Sequence, residues 1–312
     1  ASLSLGAVGA GTYTGTLTPN GTTYRFGGGG GSLTLPNANA LTGARSVLLT
    51  GNMTLKLGAL NNYTGGTTVN GGLLIANALN NGPLTINGGA VQITAKPQAN
   101  DPSGTSVTGA LAIDSSDAKL DLTNNSMVLD YTSSSPVGTV RQLLKAGAAT
   151  GFGIVSSSAT ATTRIGYGDN AVLGKTTFAG QSVNSSSVLL KYTYAGDADL
   201  DGDADGVDIG TWATNFTGEL GGTGSQVWTQ GDWDYDGDVD GVDAGLWAQA
   251  FTGELGGAGL GSVVVDAPLK PEAAAILKGL GVTVVPEPAL AGSIFLASAA
   301  LVGCRRRSRA RR

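Results

Sequence analysis

The chain has 312 residues, of which 51 are glycine and only 13% are charged, a composition typical of repetitive, turn-rich β structure. It contains no His and one Cys, which excludes Ser-His-Asp and Cys-His nucleophilic sites, an internal disulfide, and zinc sites built from His or Cys. Six of the 18 basic residues lie in the last eight positions, so the rest of the chain has 12 basic residues against 23 acidic ones. Such an acidic body argues against nucleic acid as a partner, because phosphates bind basic surfaces.

Residues 1–132 consist of short runs in which apolar and polar residues alternate. The clearest runs are Leu33–Leu35, Thr54–Leu57, Leu84–Ile86, Val91–Ile93 and Leu120–Leu122. This alternation predicts strands with one buried face, and the Asn-Gly, Gly-Gly and Pro-Asn pairs between the runs predict tight corners. Ala1 already lies inside the pattern, with no initiator Met or signal peptide before it, so we expect a further N-terminal part.

An internal repeat predicts the fold of this region. The sequence Thr68-Val69-Asn70-Gly71-Gly72 returns 17 residues later as Thr85-Ile86-Asn87-Gly88-Gly89. A repeat this short suits one coil of a β-solenoid, with a perimeter of roughly 55 Å at about 3.3 Å per residue. A β-sandwich with two similar hairpins is the alternative. The segment Gly58–Ile75 also resembles the autotransporter-associated β-strand repeat of secreted bacterial passenger domains, which implies a right-handed β-helix and an exported protein.

Residues 133–194 are less periodic and are interpreted as a connector. We expect a short helix over Thr139–Ala149 and a final strand over Ser187–Tyr194. The predicted order is then a small α-helical module over 195–255, a Gly-rich linker over 256–284 with one helix at Pro271–Lys278, and a C-terminal segment over 285–312.

The most specific signal is an acidic duplication, because Asp197–Asp208 recurs as Asp232–Asp243. Both copies carry Asp at positions 1, 3, 5, 9 and 12 with Gly at position 6, which is the spacing of an EF-hand calcium loop. Calcium takes six to eight oxygens, so its loop needs carboxylates at alternate positions, a sharp turn at Gly202 and Gly237, and a main-chain carbonyl at position 7. The candidate ligands of two calcium sites are Asp197, Asp199, Asp201, Asp203, Asp205 and Asp208 in the first loop and Asp232, Asp234, Asp236, Asp238, Asp240 and Asp243 in the second.

The duplication extends beyond the loops, since Trp212 and Phe216 return 35 residues later as Trp247 and Phe251. Residues four apart share one helical face, so each pair is expected to form half of a small common core. Without a cation the acidic residues repel one another, and metal binding should therefore be coupled to folding. A solvated acidic linker and a magnesium site are the alternatives.

Residues 196–253 resemble a type I dockerin, a duplicated loop-helix module that docks proteins onto cohesin-bearing partners, often in polysaccharide-degrading assemblies. The resemblance implies two calcium ions and a cohesin-like partner. Dockerins often carry hydroxyl residues at loop positions 10 and 11, whereas this chain has Gly206-Val207 and Gly241-Val242 there. A structural calcium module without a cohesin is therefore the alternative.

The C-terminal segment has the pattern of a targeting signal. Pro286, Glu287 and Pro288 precede an apolar run, Ala289–Cys304, and an Arg-rich tail. The sixteen residues of this run span about 24 Å as a helix, against a bilayer core of about 30 Å, and the Arg cluster predicts a cytoplasmic end. This order resembles a PEP-CTERM sorting signal, which implies a transmembrane sorting helix, export in a Gram-negative-type bacterium and cleavage near Pro-Glu-Pro by an exosortase. An ordinary tail anchor is the alternative.

Together these features predict a mainly β protein without enzymatic activity, exported to the cell envelope or the extracellular matrix. A β-solenoid would carry the calcium-stabilised interaction module. Two other functions remain open at this point: a C-terminal part of a polysaccharide-degrading component that docks through its dockerin, and a glycan-binding adhesin that uses exposed aromatic residues.

Overall fold

The computed structural model of the chain describes residues 3–80, 82–114, 116–220, 223–253, 262–265 and 269–286. Within these residues it is built mainly of strands. The strands are β1 (Ala10–Thr12), β2 (Thr23–Gly27), β3 (Ser32–Leu35), β4 (Thr42–Gly43), β5 (Ser46–Thr50), β6 (Thr54–Leu57), β7 (Asn62–Tyr63), β8 (Thr67–Ala76), β9 (Leu84–Ile93), β10 (Ser106–Thr108), β11 (Leu111–Ile113), β12 (Ala118–Asp121), β13 (Met127–Asp130), β14 (Gly153–Val155), β15 (Thr163–Asp169), β16 (Thr177–Phe178), β17 (Gln181–Ser182), β18 (Ser187–Tyr194), β19 (Ser262–Val265) and β20 (Thr283–Pro286). The α-helices are α1 (Val137–Thr150), α2 (Asn170–Leu173), α3 (Gly206–Asn215), α4 (Gly241–Ala250) and α5 (Pro271–Gly279).

Ten strands pair in parallel to form the main sheet, which confirms the expected strand-rich architecture. Its central order is β1-β3-β6-β8-β9-β12-β14, and β5 lies beside the first half of β8 while β6 lies beside the second half. The side chains on the inner face are apolar and fully buried: Val69 lies beside Ile86 and Leu74 beside Val91. Burying each such side chain contributes about 1.5–3 kcal/mol before the loss of chain entropy.

The two copies of the repeat detected in the sequence lie side by side in this sheet. Thr68 pairs with Thr85, and the amide of Asn87 donates to the side-chain oxygen of Asn70 at 2.8 Å. The second glycine of each copy is required by geometry, because Gly72 has φ 78° and Gly89 has φ 76°, and a Cβ on Gly89 would lie 2.4 Å from the carbonyl oxygen of Gly72. The short repeat therefore corresponds to one step between neighbouring parallel strands.

A second, four-stranded sheet has the order β10-β13-β18-β15. Its central strand, β18, has the predicted bounds Ser187–Tyr194 and runs antiparallel to both β13 and β15. The predicted helix over 139–149 is α1, which ends at Gly151 in the left-handed conformation and packs against β14 and β15. This sheet matters for the site because the acidic module packs against β15 and β18.

The C-terminal part contains the predicted helix as α5, flanked by two strands that the sequence analysis did not predict. β19 and β20 pair in parallel, and Ala273 and Leu277 of α5 are buried. Among the residues described here, no helix has the length and apolar character needed to cross a membrane. Pro286 ends β20, whereas Glu287, Pro288 and the predicted sorting helix at 289–304 lie outside the described residues.

Candidate metal centre in the duplicated acidic loops

Each acidic loop leads directly into a helix, and the Asp residues at loop positions 9 and 12 cap that helix. Asp205 accepts from the backbone N–H of Val207 at 2.7 Å, and Asp208 accepts from the backbone N–H of Asp205 at 2.8 Å. The second loop repeats this capping box with Asp240 and Asp243. Positions 9 and 12 of the calcium-loop spacing are therefore fixed in place by the start of α3 and of α4.

The loop backbone repeats equally closely. Position 4 is left-handed in both copies, with φ 60° at Leu200 and φ 71° at Tyr235, and position 6 follows with φ 116° at Gly202 and φ 100° at Gly237. These turns curl the chain so that carboxylates from alternate positions face a common point. Non-glycine residues held at positive φ cost of order 1–3 kcal/mol, and such strain is found at functional sites.

The turns bring three predicted ligands together in each loop. Carboxylate oxygens of Asp197, Asp199 and Asp208 lie within 4.8 Å of one another in the first loop, and those of Asp232, Asp234 and Asp243 do so in the second. A further group in the first loop joins Asp203 and Asp205 to Asp208. Each of these groups could hold a metal ion.

The other predicted ligands are not part of such groups within the described residues. Their carboxylates instead accept backbone hydrogen bonds: Asp201 from Asp203 at 3.2 Å, Asp236 from Asp238 at 3.0 Å, and Asp238 from Leu220 at 2.7 Å. Asp240 serves as the helix cap described above. These four residues lie on the loops at the expected positions but turn toward the backbone.

Asp232 has the most unusual environment of the candidate ligands. It is 0% exposed, and neither of its carboxylate oxygens has a hydrogen-bond partner in the described part of the chain. A buried carboxylate loses its hydration, and this loss costs several kcal/mol for the charged form unless hydrogen bonds or a cation replace the lost water. One of its oxygens belongs to the group formed with Asp234 and Asp243, so a cation bound there would supply a partner for that oxygen.

The electrostatics of the loops agree with this reading. Burial raises the pKa of Asp208 to about 8 and that of Asp243 to about 8, although backbone N–H groups bonded to each carboxylate oppose the shift. Burial likewise raises the pKa of Asp232 to about 7. The neighbouring Asp234 adds to this shift, whereas the backbone of Gly237 and the charge of Arg141 oppose it. Carboxyl groups whose charge is so disfavoured are the ones a divalent cation stabilises most.

The carboxylate at position 1 of the first loop, unlike Asp232, forms hydrogen bonds and an ion pair. Asp197 accepts hydrogen bonds from the hydroxyl of Thr193 and from the backbone N–H of Asp201, and it lies 3.8 Å from the ammonium of Lys191. Lys191 also donates to the carbonyl of Leu200 at 2.9 Å. Burial raises the pKa of Asp197 to about 6 and lowers that of Lys191, so the loss of hydration outweighs their mutual attraction.

The aromatic repeat forms the common core that the sequence predicts. Trp212 packs edge-on against Phe216 with ring centres 5.2 Å apart, and Trp247 packs against Phe251 at 5.1 Å. Each indole reaches across to the opposite loop, where Trp212 donates to the carbonyl of Asp240 and Trp247 to that of Asp205, both at 2.8 Å. The two metal groups are thus joined through one buried core.

The module is also joined to the second sheet, which the sequence did not indicate. The indole of Trp228 donates to the carbonyl of Asp197, and the hydroxyl of Tyr235 donates to the carbonyl of Ile165 in β15 at 2.9 Å. Lys145 of α1 donates to the carbonyl of Asp236 at 3.1 Å. Basic residues approach both loops from outside the module, although no Lys or Arg lies between 195 and 243.

Loop positions 10 and 11 lie at the surface, where a partner could reach them. At position 11, Val207 is 65% exposed and Val242 54% exposed. Comparison of the chain with protein-family models, with curated proteins and with solved structures finds no match.

Proposed function

We propose that residues 195–255 form a duplicated, dockerin-like module that binds two calcium ions, and that calcium stabilises the chain rather than serving a reaction. The observation that carries the proposal is Asp232. Both of its carboxylate oxygens are buried without a hydrogen-bond partner in the described part of the chain, and one of them lies within 4.8 Å of carboxylate oxygens of Asp234 and Asp243. Asp197, Asp199 and Asp208 form the corresponding group in the first copy.

The donor chemistry favours calcium over other divalent ions. Every available ligand is a hard oxygen, and zinc and copper sites normally include imidazole or thiolate, which these loops lack. Calcium–oxygen distances of about 2.3–2.6 Å allow two ligands on one ion to lie up to about 5 Å apart, which accommodates groups whose oxygens lie within 4.8 Å. Magnesium requires a tighter octahedron and retains more water.

The test uses the full chain, because the module shares hydrogen bonds with β15 and α1. The protein is treated with a chelator and titrated with Ca²⁺ by calorimetry, with circular dichroism recorded before and after. We expect two bound ions and a gain of structure that the chelator reverses. No heat of binding at millimolar Ca²⁺, together with unchanged spectra, would refute the assignment.

We further propose that the parallel sheet is a right-handed β-solenoid that presents the module, in a non-enzymatic protein exported to the cell envelope. The side-by-side repeat copies support the solenoid, and exposed Val207 and Val242 support a protein partner such as a cohesin-like domain. Export and exosortase processing rest on the sorting-signal resemblance around Pro286, Glu287 and Pro288. Mass spectrometry of the mature protein tests them, since cleavage near these residues is expected and an intact Arg-rich tail would contradict it.

A further inference from the structure

The two loops have similar backbone turns but differ in how basic side chains from outside the module contact them. Lys191 extends from β18 into the first loop, where its ammonium lies 2.9 Å from the carbonyl oxygen of Leu200 and 3.8 Å from Asp197. Its side chain is 13% exposed, and Gly202, at the sharp turn, leaves the space it occupies: a Cβ on Gly202 would lie 3.0 Å from the ammonium nitrogen.

In the second loop, no basic side chain of the described residues lies within ion-pair distance of Asp232. Lys145 reaches only the main-chain carbonyl of Asp236, and Arg141 lies beside Gly237 and donates to the carbonyl of Gly224 at 3.5 Å. Both raise the local positive potential, but neither forms a hydrogen bond with Asp232. Among the described residues, the acid at position 1 therefore forms an ion pair in the first loop but not in the second. There burial raises the pKa of Asp232, and the charge of Arg141 opposes this shift without an ion-pair contact.

We propose that Lys191 is a built-in competitor for the metal, so that the two calcium sites are unequal and the first is the weaker one. This inference rests on the proposed function. An ammonium contacting the position-1 carboxylate repels an incoming divalent ion and already provides part of the neutralisation that the ion would provide. Calcium must displace Lys191 from Asp197 to enter the first loop, whereas in the second loop no ion pair with the position-1 carboxylate has to break among the described residues.

Displacement has a structural consequence, because Lys191 belongs to the central strand of the second sheet. Filling the first site breaks the contact between Lys191 and the carbonyl of Leu200 and so loosens one of the links between loop and sheet. Filling the second site breaks no comparable contact. The second site should therefore fill first, and only the first should respond to changes at position 191.

The experiment isolates the first site in the full chain by using Asp232→Asn as the background. Calorimetric Ca²⁺ titration then compares Lys191→Met and the charge-retaining Lys191→Arg, with Lys145→Met as the matched control. Lys191→Met should raise the association constant at least about tenfold, since it removes a unit charge about 4 Å from a ligand. Lys191→Arg and Lys145→Met should change it less than about threefold. Circular dichroism verifies folding, and Lys191→Gln replaces the Met variant if the latter unfolds.

The outcomes separate this inference from the proposed function. Three results would overturn the role of Lys191 while leaving calcium binding intact. The first is an equal effect of Lys191→Met and Lys145→Met, and the second is a weaker first site in Lys191→Met. The third is two sites of equal affinity in the wild-type chain. A wild-type chain that binds no Ca²⁺ would overturn both. In the complementary Asp197→Asn background, the remaining second site should be insensitive to Lys191→Met.

Discussion

Trp212 of the first repeat donates its indole N–H to the main-chain carbonyl of Asp240 in the second repeat. Trp247 makes the reciprocal bond to Asp205, so each helix holds the capping residue of the other loop. Gly196 and Gly231, which precede the two loops, pack against Trp247 and Trp212 respectively, where a Cβ would come within 2.8–2.9 Å. The repeats therefore stabilise each other, and replacing one core tryptophan should alter the arrangement of both carboxylate groups.

Replacing Trp212 by Phe removes this hydrogen bond, and Trp233→Phe provides a matched control. Both indoles are 0% exposed, but the N–H of Trp233 has no partner in the described part of the chain. Trp212→Phe should thus lower the free energy of unfolding by about 1 kcal/mol more than Trp233→Phe, and urea unfolding measures the difference. An equal loss in both variants would mean that the reciprocal bond contributes nothing.

The turn at Gly237 should not tolerate a side chain. Its φ is 100°, and a Cβ would lie 2.1 Å from the guanidinium of Arg141 and 2.6 Å from the carbonyl oxygen of Gly224. Gly237→Ala should therefore destabilise the calcium-loaded protein by about 1–3 kcal/mol and weaken calcium binding. Gly245 lies exposed inside α4 with no atom near its Cβ position, so Gly245→Ala should instead stabilise the protein by up to about 1 kcal/mol. Thermal melts of the two variants should move in opposite directions.

The metal-free protein should become less stable as the pH rises. Burial raises the pKa of Asp208 and of Asp243 to about 8, against about 4 in the unfolded chain. Between these values the folded state retains protons that the unfolded state has released, so this stabilisation is complete below about pH 4 and is lost as the pH rises through 8. In chelator the melting temperature should be higher at pH 5 than at pH 8.

Calcium should reverse that dependence, because it binds the deprotonated carboxylates. In saturating Ca²⁺ the melting temperature should be higher at pH 8 than at pH 5. The same slope with and without calcium would show that Asp208 and Asp243 do not coordinate the ion.

Much of this architecture could be predicted from local pattern. Alternating residues predicted strands such as Thr54–Leu57 with its observed bounds, and the spacing of Asp and Gly predicted which loops would gather carboxylates. Lys191 could not be predicted as a partner of Asp197, because the contact depends on how β18 and the loop pack rather than on any motif. The lack of hydrogen bonds to the carboxylate oxygens of Asp232 in the described part of the chain could not be predicted either, because the burial of a side chain and the donors around it depend on the folded chain. The sequence also gave no sign that Tyr235 would bond to β15.

The second site should depend on Asp232 more than on any exposed acid. Asp232→Asn preserves shape but removes the negative charge at position 1, so calorimetry should find one bound calcium instead of two. Asp117→Asn removes the same charge from an exposed turn and should leave two. Loss of binding in both variants would point to general electrostatic attraction rather than to a defined site.

The most direct measurement is a crystal structure of the full chain grown with Ca²⁺. Our account predicts two ions, one among Asp197, Asp199 and Asp208 and one among Asp232, Asp234 and Asp243, with calcium–oxygen distances of about 2.3–2.6 Å. It also predicts that at least one oxygen of Asp232 coordinates the bound ion. Loops that remain free of metal at millimolar calcium, with Asp232 still buried and unpaired, would contradict the calcium-binding function.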